Sequence, residues 1–309
     1  MRVIFMGTPD FAVYSLKALI TQHEVIAVVS QPDKPKGRGK KVVSTPVKEY
    51  ALEQGIPVYQ PEKARDPEFV ALLQGLQPDV IAVTAFGQIL PEDILNIPKY
   101  GCINVHGSLL PKYRGAAPMQ WSIIDGEAVT GITTMFMAKG MDTGDMLLKA
   151  EVPIHPDDNF ASVHEKMAEA GGNLLLETLA ALQAGTVTRV PQDHEAATYA
   201  PMITKETGHI DWSKSAKEII NLMRGLDPTP GAYAMYEGEP LKLFKGEKAN
   251  EEYAQGKMGE IVDVIKKGVV VKCGDGAVTI TELQARGKKR MSADAYLRGN
   301  AMNKGVLLQ

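Results

Sequence analysis

Five stretches in the first 140 residues are apolar almost without a break: RVIFMG at 2–7, EVIAVVS at 24–30, DVIAVTAF at 79–86, CINVHG at 102–107 and GITTMFM at 131–137. A run that is apolar at both odd and even positions has to be buried on both faces, which is the condition of a strand inside a parallel sheet sandwiched by helices. Helical spacing fills the gaps between these runs. Phe11, Ser15, Leu16 and Leu19 recur at helical intervals after Thr8-Pro9, with Thr8 the expected cap and Pro9 in the first turn. Thr45-Pro46 opens a second such segment, PEFVALLQGL is a third and PMQWSIID a fourth. Strand and helix alternating in this way predict an α/β domain with a doubly wound, mostly parallel, Rossmann-like sheet and right-handed crossovers. Ligands of such sheets sit beyond the C-terminal ends of the strands.

The texture changes near residue 200. A long amphipathic helix is expected over ASVHEKMAEAGGNLLLETLAALQ, then a Pro-containing connector, VPQDHEAATYAPMITKE, then one helix, SAKEIINLMRGL. The runs GAYAMY, LKLFKG, GEIVDVI, GVVVKCG and AVTITEL follow, divided by glycine turns, and suggest a small antiparallel barrel or sandwich, of which an OB-like β-barrel is the form expected. The expected organisation is a first domain over 1–189, a linker over 190–206 and a second domain over 207–309. At 309 residues and 44% hydrophobic content the chain can fill the cores of about two domains.

Charge is unevenly spread. The net value is -3, but residues 1–200 carry 17 basic and 23 acidic side chains whereas 201–309 carry 17 and 14. A basic rear half is open to two readings, a polyanionic partner or ordinary scatter. The two cysteines, Cys102 and Cys273, have no ligand-like spacing, so neither a disulfide framework nor a metal site is expected. No apolar stretch approaches the ~18 residues of a membrane span and the N-terminus has no leader pattern, which predicts a soluble, cytoplasmic protein. No second apolar face stands out, and a monomer is expected.

Chemistry concentrates in CINVHGSLLPKYRG, residues 102–115. Residues i and i+2 of a strand share a face, so Asn104 and His106 point the same way near the end of a candidate strand. An amide donor beside an imidazole suits stabilisation of an oxyanion on a carbonyl under attack. Asp142, in the glycine-flanked stretch MAKGMDTGDM, is placed to reach the same edge and assist a proton transfer. Each residue has a plainer reading as well: Asn104 as a loop cap, His106 as a satisfied core histidine, Asp142 as a turn former. Other plans fit less well, because the chain has no G-x-S-x-G elbow, no full G-x-G-x-x-G fingerprint and no G-x-x-x-x-G-K-[ST] loop. A second feature is KPKGRGKK at 34–41, with five positive charges and no negative one. It reads either as a solvated loop or as a phosphate-binding element.

NVHGSLLPKYRGAAP followed by GITTMFMAKGMDTGDML resembles the signature of the 10-formyltetrahydrofolate-dependent transformylases. The GTPDFAV start, the QPDKPKGRGKK insertion and the β-rich second domain are similar to the tRNA-dependent branch of that family. The resemblance implies formyl transfer from 10-formyltetrahydrofolate to the methionine amino group of initiator methionyl-tRNA, with no metal, no DNA and no membrane. It implies that Asn104 and His106 stabilise the tetrahedral intermediate and that Asp142 helps to move the proton. It also implies a folate pocket from Ser108, Leu109, Leu110 and Pro111, with the pterin end lined by Phe86, Gly87, Gln88, Ile89 and Leu90. Contacts to tRNA are then expected from Lys34, Lys36, Arg38, Lys40 and Lys41, Arg38 above all, with a further hold from Arg286, Lys288, Lys289 and Arg290. Two alternatives remain: a formyltransferase acting on a small amine (glycinamide ribonucleotide or an amino sugar nucleotide), and a non-catalytic RNA-binding protein.

Overall fold

The computed structural model describes every residue of the chain except 37–40, 251, 252 and 254. The chain divides into two compact units, one of 1–118, 129–153 and 164–200, the other of 119–128, 154–163 and 201–309. The second unit therefore includes two segments, 119–128 and 154–163, that precede residue 200 in the chain.

In chain order the first part contains β1 (Arg2–Gly7), α1 (Asp10–Gln22), β2 (Glu24–Val29), β3 (Lys34–Lys36), β4 (Lys41–Val43), α2 (Pro46–Glu53), β5 (Val58–Tyr59), α3 (Pro67–Leu76) and β6 (Val80–Thr84). It continues with α4 (Glu92–Leu95), β7 (Cys102–His106), β8 (Arg114–Gly115), α5 (Pro118–Ile124), β9 (Val129–Phe136), β10 (Met146–Pro153), α6 (Phe160–Ala184) and β11 (Tyr199–Ala200). The main sheet has the order β10-β9-β7-β6-β1-β2-β5. The five strands from β5 to β7 are parallel, as their unbroken apolar runs require, and β9 and β10 add an antiparallel edge. Strand β10 is not evident in the sequence, because MLLKAEVP half-exposes its residues as an edge strand does.

The order reverses at β1, which has β2 on one side and β6 on the other. The crevice beyond these strands is the ligand-binding position of such sheets. Thr8 stands there, and it does not cap α1: the cap position is Pro9, and the Thr8 hydroxyl donates to the Phe86 carbonyl at 2.9 Å. It thus ties the end of β1 to the loop after β6, a bond between strands that the helix-capping pattern does not suggest.

Register fixes which residues share a face. Ile4, Ile81 and Cys102 lie in one row and Met6, Val83 and Asn104 in the next row of the same parity. That face is packed by Phe69, Val70 and Leu73 of α3 and Ile94 of α4. The opposite face carries Val105 and Ile132, against which Gly171 of α6 lies so closely that a Cβ would stand 3.2 Å from the Val105 methyl. Thr178 of α6 bonds Thr134 of β9 on this same side at 2.7 Å.

In the second unit α7 (Ala216–Gly225) precedes β12 (Ala232–Tyr236), β13 (Glu239–Lys248), β14 (Ile261–Ile265), β15 (Gly268–Cys273), β16 (Gly276–Ala285), β17 (Met291–Ser292) and α8 (Ala293–Leu297). Ser215 and Glu218 form a reciprocal capping box at the start of α7. The sheet order is β12-β13-β16-β15-β14, antiparallel throughout. The last residues close it: the Leu308 amide donates to Gly259 at 2.8 Å on the β14 side, and the Gln309 amide donates to Met235 of β12 at 2.9 Å. Val269, Val271, Val278, Ile280 and Leu283 fill the interior with Ile219 and Met223 of α7.

Candidate active site

The face of β7 that carries Asn104 is covered by helices only in part. At Asn104 it opens into a cavity of about 170 Å³ lined by Gln88, Ile89, Leu90, Asn104, Met135, Met137 and residues 138–142. This explains the polar Asn104 in an apolar strand. The Asn104 amide has no hydrogen-bond partner among the described residues, and its donors and acceptor face a space meant for something else. Apolar walls with a few converging polar groups are the usual composition of a ligand pocket.

His106, 6% exposed, has its Nε2 2.9 Å from the Tyr113 carbonyl. A carbonyl only accepts, so Nε2 carries a proton and Nδ1 is the nitrogen free to gain or lose one. Nδ1 lies 3.7 Å from Oδ2 of Asp142. Asp142 gets there by an unexpected route. Strand β9 runs antiparallel to β7, so the chain leaves it beside Cys102, where the Met137 amide donates to the Cys102 carbonyl at 2.8 Å. Residues 138–142 then fold back along the sheet toward His106. The return is sharp: a Cβ on Gly144 would lie 1.8 Å from the Phe136 carbonyl oxygen, and Asp142 itself has φ +51°, the left-handed region. Oδ2 of Asp142 also accepts the Gly115 amide at 2.8 Å.

The stretch 108–111 is built into the wall more than into the cavity. Ser108 is fully buried and donates to the Lys112 carbonyl at 2.6 Å. Thr133 of β9 donates to the Ser108 carbonyl and accepts the Leu110 amide, at 2.7 and 3.1 Å. Leu110 packs on Met135 and Met146, and its carbonyl accepts from Lys149, whose ammonium is pushed by burial below the usual lysine range. Leu109 lies over Gly131, and Pro111 follows a cis peptide bond. In the 86–90 loop, Phe86 and Leu90 are buried, Gly87 has φ +85°, and Gln88 is pinned by its own amide to Ala64 and Pro61. Ile89 is 85% exposed and Met141 66% exposed, and together they form an apolar rim on the cavity. Burial pushes the Cys102 thiol up to about 12, which removes it as a nucleophile. Among the described residues no three His, Cys, Asp or Glu side chains group as a metal site would require.

A formyl transferase family model matches residues 1–179, and its C-terminal domain model matches 202–301. The chain belongs to the formyl transferase family. Methionyl-tRNA formyltransferases of Acetivibrio thermocellus and Clostridioides difficile are each 51% identical to it over the whole chain, covering 99% and 100% of their own lengths. Among solved structures, WlaRD, a sugar 3N-formyl transferase crystallised with dTDP and 5-N-formyl-THF, superposes with a TM-score of 0.68 at 19% identity, over 94% of this chain and 99% of that one. HypX from Aquifex aeolicus in complex with tetrahydrofolic acid has a TM-score of 0.62 at 20% identity, over 96% of this chain and 47% of its own. These two share the formyl transferase fold.

In this family member the basic insertion begins and ends as a hairpin, with Lys34 paired to Val43 and Lys36 to Lys41. Lys34 is exposed. Arg38 and Lys40 lie outside the described residues. The foot of the hairpin is fixed by Asp33, whose carboxyl is held below its ordinary range by hydrogen bonds from Lys48 and Gln60. The basic stretch 285–292 is largely neutralised within its own unit. Arg286 pairs with Glu239, and Arg290 with Glu282 and the buried Asp227, its guanidinium stacked 4.1 Å from the Phe244 ring. Lys288 and Lys289 are exposed and have no ion-pair partner among the described residues. Four further residues of the site are not singled out by the sequence: Tyr113 and Thr133, used through a carbonyl and a hydroxyl, and the buried Arg114 and Gln192, which bond each other across 78 residues. No helix is long and apolar enough to cross a membrane among the described residues.

Proposed function

We propose that the protein transfers the formyl group of 10-formyltetrahydrofolate to the α-amino group of methionine carried on tRNA, and on initiator tRNA in particular. The reading is carried by an Asn104 amide, unpaired among the described residues, that lines one cavity with Asp142, the carboxylate lying 3.7 Å from His106, in a chain 51% identical end to end to enzymes named for this reaction. The amine nitrogen forms a bond to the formyl carbon, the bond from that carbon to the folate nitrogen breaks, and the proton lost by the amine passes to the departing nitrogen. Asn104 donates to the oxyanion as it develops. His106 takes and returns the proton at Nδ1, since Nε2 is committed to Tyr113, and the Asp142 carboxylate balances the charge that the ring then carries.

The apolar walls of Ile89, Leu90, Met135, Met137 and Met141 suit the flat pterin end of the donor, with Met side chains adapting to its outline. Residues 1–189 are then the catalytic part. Lys34, Lys36, Arg38, Lys40 and Lys41 bind the acceptor stem, and residues 207–309 add a hold on the tRNA backbone. The enzyme works as a cytoplasmic monomer.

The deciding experiment mixes the protein with 10-formyltetrahydrofolate and either methionyl-tRNA or small amines such as glycinamide ribonucleotide, and follows release of tetrahydrofolate. Turnover with the charged tRNA alone is the expected result. Turnover with a small amine and none with tRNA overturns the choice of acceptor.

A further inference from the structure

Gln192 lies 50 residues beyond Asp142, in a segment without regular structure, yet it is 6% exposed. Its amide nitrogen donates to two carbonyls of the catalytic loop, those of Asp142 and Gly144, both at 2.8 Å. Its amide oxygen accepts two bonds from the Arg114 guanidinium, at 3.0 and 2.6 Å. Arg114, 2% exposed, also donates to His194 at 3.2 Å, and no carboxylate pairs with it among the described residues. The next residue, Gly115, gives its amide to the Asp142 carboxylate. One amide side chain thus grips both ends of the turn that bears Asp142 and ties it to the strand whose backbone orients the carboxylate.

We propose that Gln192 is a positioning residue for formyl transfer: by holding the Asp142 and Gly144 carbonyls against Arg114, it sets the carboxylate of Asp142 relative to His106. The inference rests on the reaction proposed above. A glutamine is needed because the position demands two donors and a double acceptor at once. A left-handed aspartate in a tight return loop does not keep its place unaided.

Gln192→Glu separates positioning from mere support. The variant gains an ion pair with buried Arg114, which offsets part of the cost of losing both donors and setting a carboxylate against two carbonyls, so it is expected to fold with a lowered melting temperature. Turnover is expected to fall about 10²-fold, the effect of roughly an ångström of misplacement, with KM for methionyl-tRNA unchanged. In an Asp142→Asn background the same substitution is expected to add no more than about a twofold loss, because it acts through the group already removed. Amide hydrogen exchange across 138–145 is expected to quicken in Gln192→Glu while that of β9 and β10 stays the same. Should the variant not fold, Gln192→Met goes through the same cycle. Wild-type turnover in either variant, losses that multiply in the double variant, or unchanged exchange across 138–145 overturns the inference. The exchange measurement stands even if the wild-type protein proves to use another acceptor, so a failure of the reaction and a failure of this role are told apart.

Discussion

Asp142 faces His106 across 3.7 Å, its Oδ2 toward Nδ1, while the Tyr113 carbonyl holds the far side of the ring at 2.9 Å. The carboxylate has a hydrogen bond of its own from Gly115 and does not close on the imidazole, so Nδ1 stays available to a reacting proton. Asp142→Asn keeps an acceptor for Gly115 but removes the charge. It is expected to fold with an unchanged melting temperature and to lose at least about 10²-fold in turnover, the scale of a removed acid–base partner.

Asn104→Ala removes a side chain that bonds nothing in the described protein. Stability is expected to stay within about 0.5 kcal/mol, and turnover to drop about 10²–10³-fold, as on removal of one oxyanion donor. Steady-state rates beside a thermal melt test both halves, and a variant with full activity rules out the assigned role.

Arg38→Ala is expected to weaken use of methionyl-tRNA and leave affinity for 10-formyltetrahydrofolate alone. The dependence of tRNA binding on salt should flatten by about 0.7–0.9 in log–log slope for each phosphate that is no longer neutralised. Filter binding over a salt series measures it, and an equal loss of folate affinity would instead mark the hairpin as structural.

Arg290→Met leaves Asp227, 4% exposed, with the Asn159 amide at 2.8 Å as its one remaining side-chain partner among the described residues. Breaking one side of a buried pair costs about 3–5 kcal/mol, so the variant is expected to melt markedly earlier. Arg286→Met, at a pair open to solvent, is expected to cost no more than about 1 kcal/mol. Urea titration distinguishes the two.

His23 has both ring nitrogens buried and without a hydrogen-bond partner among the described residues, and burial together with the nearby amino terminus holds it below its ordinary 6.5. The unfolded chain therefore binds this proton first as pH falls. His23 contributes stability above pH 6.5 that is lost progressively below it, until the folded state too is protonated. Denaturation midpoints for wild type and His23→Leu should converge in their pH dependence above 6.5 and diverge below it, the variant losing less.

The core strands were legible because burial on both faces leaves a local mark: RVIFMG is β1, and EVIAVVS and DVIAVTAF contain β2 and β6. Helix α3 falls on PEFVALLQGL to the residue. Edge strand β10 was not legible, since partial exposure erases the pattern. Neither was the closure of the second sheet, which depends on two backbone bonds made by the last residues and on no side chain.

By itself, then, the sequence determined the buried strands and the amphipathic helices, that Asn104 and His106 share a face, and which residue types were available for chemistry. These follow from periods of two and 3.6 residues, which are properties of a few neighbouring positions. Tertiary structure alone decided that Asp142 returns from the wrong end of β9, that Thr8 serves the loop after β6, and that Arg114 and Gln192 meet behind the site. Such pairings depend on register, strand direction and loop course over tens of residues, and no local spacing encodes them.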